Sequence, residues 1–226
     1  MYRKLFTPGP THVRDEILEA QSAPIIHHRA PEYAALHKSV TEKLQKLLYT
    51  EQRVYLFTSS STGVMEGTIR QATNKKILNT INGAFSDRWH TICEANGVPT
   101  GTVEVAWGQA ITPEIVDEAL SSGEYDALIV VFNETSTGLL TPVDEIAELV
   151  HEKYPDVLIL VDAVSGMAGA KIEFDAWGLD VCLAGTQKCF ALPAGLTICA
   201  VSDRARERAL DVPNKGYYFS YEQMDK

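Results

Sequence analysis

The feature of this sequence that most constrains its fold is a series of short, continuous runs of apolar and β-branched residues. Four such runs occupy residues 54–57, 127–132, 157–161 and 181–184. Strands exposed on one face alternate polar and apolar residues, whereas continuous apolar runs indicate strands buried on both faces. The runs therefore predict a mostly parallel sheet that is covered by helices on both sides.

The segments between these runs carry helical patterns, as a parallel sheet requires. A helix is predicted from about Gly63. Residues 113–121 and 142–154 have apolar residues at helical spacing, and each segment opens with a proline behind a threonine, Thr112 or Thr141. A threonine cap followed by proline is typical of a helix start. We therefore expect an α/β fold, a three-layer sandwich with a mostly parallel central sheet.

The N-terminal part of the chain differs in character from the rest. Residues 6–11 form a turn-rich extended segment, residues 27–32 a polar loop, and residues 33–48 an amphipathic helical pattern. We expect residues 1–50 to be an N-terminal arm and helix that pack on a large domain formed by residues 51–226.

Composition and charge exclude several classes of protein. The formal net charge is -10, and no cluster of lysine and arginine offers a face for nucleic acid or an anionic membrane. No apolar run approaches the ~20 residues of a membrane-spanning helix.

The cysteines lack C-x-x-C spacing, and Cys182, Cys189 and Cys199 lie in apolar surroundings that predict buried free thiols. We expect a soluble, cytoplasmic protein with no metal site, because the histidines lack a zinc-ligand spacing.

An acidic residue directly follows one of the apolar runs. The run at residues 157–161 ends at Asp162. Ligands of open parallel sheets bind in the crevice at the carboxyl ends of the strands, so Asp162 is a candidate site residue. The alternative is that it caps a helix or turns a loop.

A lysine stands in a similar position after the run at residues 181–184. Lys188 follows Gly-Thr-Gln and precedes a stretch of small and apolar residues. Burial disfavours a charged ammonium, and a lysine that forms a Schiff base has to be partly deprotonated near neutral pH. The alternative is an ordinary surface lysine.

The lysine and the acid together point to pyridoxal phosphate, whose sites combine a Schiff-base lysine with an acid that keeps the pyridine nitrogen protonated. A phosphate site is predicted where residues 57–67 lead from a strand into a helix. There Ser60, Ser61 and Thr62 place hydroxyls and free amides at a helix N-terminus. A Ser/Thr run of this kind also fits a simple helix cap. Residues 133–138, after another strand, offer a hydroxyl to the cofactor.

With these pieces in order, the sequence resembles the class V, fold-type I pyridoxal-phosphate aminotransferases, and within them the alanine-glyoxylate and serine-glyoxylate branch. The motifs that carry the resemblance are T-P-G-P-T at 7–11, H-R-x-P-E at 28–32, E-T-S-T-G at 134–138, V-D-A-V-S at 161–165 and G-T-Q-K at 185–188. The resemblance implies a homodimeric transaminase. It would move an amino group from alanine or serine to a 2-oxo acid such as glyoxylate or pyruvate.

The resemblance also implies roles for residues around the cofactor ring. Lys188 would form the aldimine, and Asp162 would be the partner of the pyridine nitrogen. Thr135 would reach the phenolic oxygen. Val164 and Phe85 would lie against the two ring faces, with Phe85 standing where the family usually has tryptophan.

The last expectations concern two of the tryptophans and the phosphate. Trp89 and Trp107 are assigned to packing. The phosphate would be bound by Ser60, Ser61, Thr62 and Gln187.

The family's C-terminal small domain has no counterpart in this sequence, which stops soon after the aromatic cluster at residues 217–221. By the resemblance, that domain holds the arginine that binds the substrate carboxylate and residues that reach the partner subunit. We therefore expect the large domain to be incomplete and the isolated piece to be inactive.

Three alternatives stay open. The chain could belong to a related class V enzyme, either a 2-aminoethylphosphonate transaminase or a cysteine desulfurase or lyase of the same fold. Desulfurases typically carry a histidine on the ring face, which Phe85 disfavours. The third alternative is a non-catalytic fragment that acts as an interaction module.

Overall fold

The computed structural model describes residues 3–213 and 215–226 of the chain. Its helices within this part are α1 (Asp15–Ala20), α2 (Pro31–Leu48), α3 (Ser61–Ala72), α4 (Ala84–Ala95), α5 (Pro113–Leu120), α6 (Val143–Lys153), α7 (Asp203–Asp211) and α8 (Tyr221–Met224). Its strands are β1 (Arg53–Phe57), β2 (Ile77–Ile81), β3 (Thr100–Glu104), β4 (Ala127–Val131), β5 (Asn133–Glu134), β6 (Leu139–Leu140), β7 (Leu158–Asp162), β8 (Val181–Gly185) and β9 (Thr197–Val201).

Seven of these strands form one sheet in the order β1-β9-β8-β7-β4-β2-β3. β9 runs antiparallel to both of its neighbours, β1 and β8, and every other adjacent pair is parallel. The six remaining strands therefore point the same way, and their carboxyl ends meet at one edge. β5 and β6 form a separate short hairpin beside that edge.

Two apolar clusters cover the two faces of the sheet, because successive side chains of a strand point to opposite sides. In β4, Leu128 and Val130 pack with α2, α5 and α6 in one cluster. Ala127, Ile129 and Val131 pack with α3, α4 and α7 in the other. The predicted three-layer α/β sandwich with a mostly parallel central sheet is confirmed.

Local predictions are met in part. α5 begins at Pro113 behind the N-cap Thr112, as predicted. The predicted cap at Thr141 is wrong, because α6 begins at Val143 with Pro142 as its N-cap. The Thr141 hydroxyl instead donates a 2.7 Å hydrogen bond to the carbonyl of Val131 and so ties the turn to the sheet.

The burial of the cysteines agrees with the prediction in part. Cys93, Cys182 and Cys199 are buried free thiols, but Cys189 is exposed. The prediction for Cys189 is wrong because this residue lies in a loop after β8, where its Sγ contacts the carbonyl of Ser165 at 3.1 Å.

Among the described residues, no helix combines the length and the apolar character needed to cross a membrane.

Candidate active site

The side chains predicted from the sequence meet in one cavity at the carboxyl edge of the sheet. This cavity is formed by residues that follow β1, β2, β4, β7 and β8. The sequence-predicted residues in its lining are Ser60, Ser61, Thr62, Phe85, Thr135, Asp162, Val164, Gln187 and Lys188. All nine are therefore neighbours in space, although they come from five separate stretches of the chain.

Asp162 is the last residue of β7, and it is 3% exposed. One carboxylate oxygen, Oδ1, accepts a 2.9 Å hydrogen bond from the Val164 amide, and Oδ2 accepts a 2.8 Å bond from the Trp89 indole N–H. Burial raises the pKa of Asp162 to about 6, although both hydrogen bonds act in the opposite direction. A cation placed beside this carboxylate would favour its ionised form.

Trp89 has a role that the sequence did not reveal. It is fully buried among the apolar residues under α4, as expected for packing, but it also donates its N–H to Asp162. Trp107 is 62% exposed, so its assignment to packing is wrong. The residue lies in the loop between β3 and α5 and does not line the cavity.

Lys188 follows β8 and lies half-buried beneath the N-terminal segment. Thr11 ties this segment down, since its amide donates to the Gln187 carbonyl at 2.9 Å and its hydroxyl to the Lys188 carbonyl at 3.1 Å. A Cβ on Gly9 would lie 2.6 Å from Lys188 Nζ, so only glycine fits there without displacing the amine. Within residues 3–213 and 215–226, the Lys188 ammonium forms no ion pair.

The predicted phosphate site lies where β1 leads into α3. Ser60 is the N-cap residue of α3, and its side chain makes no capping hydrogen bond. The Ser61 hydroxyl is buried and has no hydrogen-bond partner among the described residues. A Cβ on Gly185 would lie 2.5 Å from Gln187 Oε1 and 2.7 Å from Ser61 Oγ, so this glycine lets both polar groups approach β8. A buried, unpartnered hydroxyl beside helix N-terminal amides fits an anion such as phosphate.

Thr135 is held in place by a short chain of hydroxyl groups. Its Oγ1 donates to Ser165 Oγ at 2.7 Å. Ser165 Oγ lies 3.0 Å from both the carbonyl and the side-chain oxygen of Asn133. The chain fixes the Thr135 oxygen at the cavity wall, and Ser165 and Asn133 line the same cavity.

Glu134, which opens the E-T-S-T-G motif but received no role from the sequence, fixes the start of α4. Its carboxylate is fully buried and accepts the amide N–H groups of Phe85 at 3.1 Å and Ser86 at 2.9 Å. Ser136 donates to the same carboxylate through its hydroxyl at 2.7 Å. Burial alone would raise the pKa of Glu134, but these hydrogen bonds outweigh it, so the pKa lies below its usual value.

Glu134 thereby sets the position of Phe85, which forms one wall of the cavity. The Arg88 guanidinium lies over the Phe85 ring, 5.0 Å from its centroid, and also lines the cavity. The lining of the cavity thus includes an aromatic ring and a cation that contact each other.

Comparison with known proteins identifies the family to which this chain is similar. Residues 11–222 match the family model described as aminotransferase class-V. The chain is 39% identical over 208 residues to an uncharacterized aminotransferase of Methanocaldococcus jannaschii, a match that covers 90% of this chain and 53% of the relative. It is 33% identical over 235 residues to a serine–glyoxylate aminotransferase of Hyphomicrobium methylovorum, covering 98% of this chain and 57% of the relative.

A solved structure shares the fold. The alanine–glyoxylate aminotransferase of Nostoc sp. superimposes with a TM-score of 0.90 at 27% sequence identity, covering all of this chain and 63% of that one. The chain thus spans about half the length of the curated relatives that it matches. Because the family model covers nearly the whole sequence, this chain belongs to the class V aminotransferase family.

Proposed function

We propose that the protein carrying this chain is a pyridoxal-phosphate-dependent transaminase. It moves an amino group from a small amino acid, alanine or serine, to a 2-oxo acid such as glyoxylate or pyruvate. The names of the relatives support this substrate class. The observation that carries the proposal is the single cavity that brings the amine of Lys188, the carboxylate of Asp162 and the buried hydroxyl of Ser61 together.

Pyridoxal phosphate, when bound, supplies an aldehyde that condenses with amines and a ring that accepts electron density. The amine of Lys188 would hold the aldehyde carbon and would later move the proton of the substrate's α-carbon. The carboxylate of Asp162 would keep a proton on the ring nitrogen, because the ionised acid stabilises the adjacent cation.

The remaining lining residues would bind and orient the cofactor. Phe85 and Val164 would flank its ring, and the Thr135 hydroxyl would contact its phenolic oxygen. The phosphate would be bound by Ser60, Ser61, Thr62 and Gln187.

The wider assignments are proposals of the same kind. We propose that the substrate carboxylate is bound by an arginine outside residues 1–226 and that the whole protein is a homodimer. Apolar side chains on the N-terminal arm, including Phe6 and Ile25, are almost fully exposed and would suit a subunit contact. The four free cysteines suit a reducing cytoplasm.

The test uses the intact protein. It is incubated with pyridoxal phosphate, reduced with borohydride and digested, and the modified peptide is mapped. We expect the label on Lys188, its loss in Lys188→Arg and its retention in Lys171→Ala, where the lysine is exposed and paired with Glu173.

Turnover then separates the remaining candidates. Alanine or serine with glyoxylate or pyruvate should be converted by the labelled protein. Label on a different lysine would overturn the site, and no label at all would favour a non-catalytic module. A labelled protein that instead uses 2-aminoethylphosphonate or cysteine would belong to the alternative branches.

A further inference from the structure

The contact between Trp89 and Asp162 goes beyond the roles assigned above. We infer that Trp89 is a positioning residue, whose indole N–H keeps the Asp162 carboxylate ionised and fixes its orientation toward the cavity. This inference rests on the proposed function, because it concerns the acid that would face the pyridine nitrogen.

The geometry gives each carboxylate oxygen one fixed donor. Trp89 Nε1 is 2.8 Å from Oδ2, and the Val164 amide is 2.9 Å from Oδ1. The two donors come from different elements, since Trp89 lies on α4 and Val164 on the loop after β7. The lone pairs that remain can accept a further hydrogen bond from a group in the cavity.

Trp89 also couples two parts of the site. It lies four residues after Phe85 on α4, so the two side chains lie on the same helix face. Phe85 reaches the cavity wall, and Trp89 reaches the carboxylate below it. Glu134 holds the first turn of this helix through the amides of Phe85 and Ser86.

Other charged groups near Asp162 act in both directions. Glu134 on β5 disfavours its ionised form, and Arg88 on α4 favours it. Lys188 lies on the same cavity, and the buried thiol of Cys182 on β8 has a pKa well above its usual value, so it stays neutral. Because the Val164 donor is a backbone amide, Trp89 is the side chain through which hydrogen bonding to the acid can be altered.

The experiment removes the indole N–H donor while keeping an aromatic side chain at position 89. In Trp89→Phe, and in a protein with 3-benzothienylalanine at position 89, the donor is lost but an aromatic group fills the core. The second variant has nearly the shape of tryptophan and serves if the first does not fold. Trp177→Phe is the matched control, since Trp177 packs against Phe132 in the apolar cluster on the opposite face of the sheet from Trp89.

The measurement is an infrared pH titration of the carboxylic-acid C=O stretch in the protein without cofactor. The band of Asp162 is identified by its loss in Asp162→Asn. A hydrogen bond to a charged group typically changes a pKa by about one to two units. We expect the midpoint of Asp162 to move upward by that amount in both Trp89 variants, with Trp177→Phe unchanged.

Cofactor binding provides the second readout. The pH below which affinity for pyridoxal phosphate declines should rise in the Trp89 variants in parallel with the infrared midpoint. An unchanged midpoint in a folded Trp89 variant would overturn the inference while leaving the proposed function intact. Failure of the unaltered protein to attach pyridoxal phosphate at Lys188 would overturn the proposed function instead.

Discussion

Removal of the Ser61 hydroxyl should separate cofactor affinity from protein stability. This hydroxyl is buried beside the N-terminus of α3 and makes no hydrogen bond to another described residue. Its loss in Ser61→Ala therefore breaks no contact within the fold. We expect the free energy of unfolding without cofactor not to decrease, because the removed hydroxyl makes no hydrogen bond and the burial of an unpartnered hydroxyl is itself unfavourable.

The effect on binding should be much larger. A hydrogen bond to a charged group contributes about 1.5–3 kcal/mol, and 1.4 kcal/mol corresponds to a tenfold change in affinity. If Ser61 donates to the phosphate, Ser61→Ala should weaken binding of pyridoxal phosphate by about 10- to 150-fold. Binding of pyridoxal, which lacks the phosphate, should be unchanged.

The assay is an equilibrium titration of both ligands, combined with thermal unfolding of the unliganded proteins. Ser59→Ala is the matched control, because the Ser59 hydroxyl donates to the Ser60 carbonyl at 2.8 Å and does not line the cavity. Equal affinity of Ser61→Ala and the unaltered protein for pyridoxal phosphate would refute the phosphate assignment. An equal loss for both ligands would point to a collapsed cavity.

Two further predictions concern the carboxylates of the site. Asp162→Asn is nearly isosteric but removes the charge, so we expect cofactor still to bind while transaminase turnover falls by orders of magnitude; unchanged turnover would exclude the proposed role. Glu134→Gln removes acceptor capacity for the amides of Phe85 and Ser86 and should lower the free energy of unfolding by about 1–3 kcal/mol. Because the pKa of Glu134 is lowered on folding, its contribution is complete above its usual value of 4.5 and is lost as the pH falls through the lower folded pKa. Denaturant titrations should therefore show the two proteins converging in stability at acid pH, and a difference that stays constant down to pH 3 would contradict this account.

The site residues at strand ends could be predicted because the apolar runs are continuous. The run before Asp162 belongs to β7, which is buried along its whole length, so the first acid after it had to lie at the sheet edge. The same reasoning placed Lys188 after β8 and Ser60 after β1. These predictions depend only on short stretches of sequence and on the shared direction of the strands.

β2 and β3 could not be recognised in this way. β2 is fully buried but contains two polar residues: the Asn79 amide nitrogen donates a hydrogen bond to the Thr100 hydroxyl, and the Thr80 hydroxyl donates one to the carbonyl of Ile129. β3 is an edge strand with a glycine in its interior, a composition that is unusual for strands. Partners from other strands decide such cases, and the local pattern does not reveal them.

The roles of Trp89 and Glu134 were hidden for a related reason. The acceptor of the Trp89 hydrogen bond lies 73 residues away along the chain, and the α4 amides that donate to Glu134 lie about 50 residues away. A tryptophan within a helical apolar pattern has the same local signature whether or not its N–H meets a carboxylate. Only the packing of α4 on the sheet shows the difference.

The position of β1 in the sheet has a consequence for biosynthesis. β1 leads into the turn that contains Ser60. Within the described chain, the one strand next to β1 in the sheet is β9, and Arg53 pairs with Val201. A ribosome that makes the chain from its N-terminus releases β2, β3, β4 and β7, which can pair with one another, well before β9 emerges. Contacts between residues so distant in sequence form slowly, because the intervening chain has to be closed into a loop. The turn that would receive the phosphate is therefore expected to become ordered late, after the parallel strands next to Asp162 have already assembled.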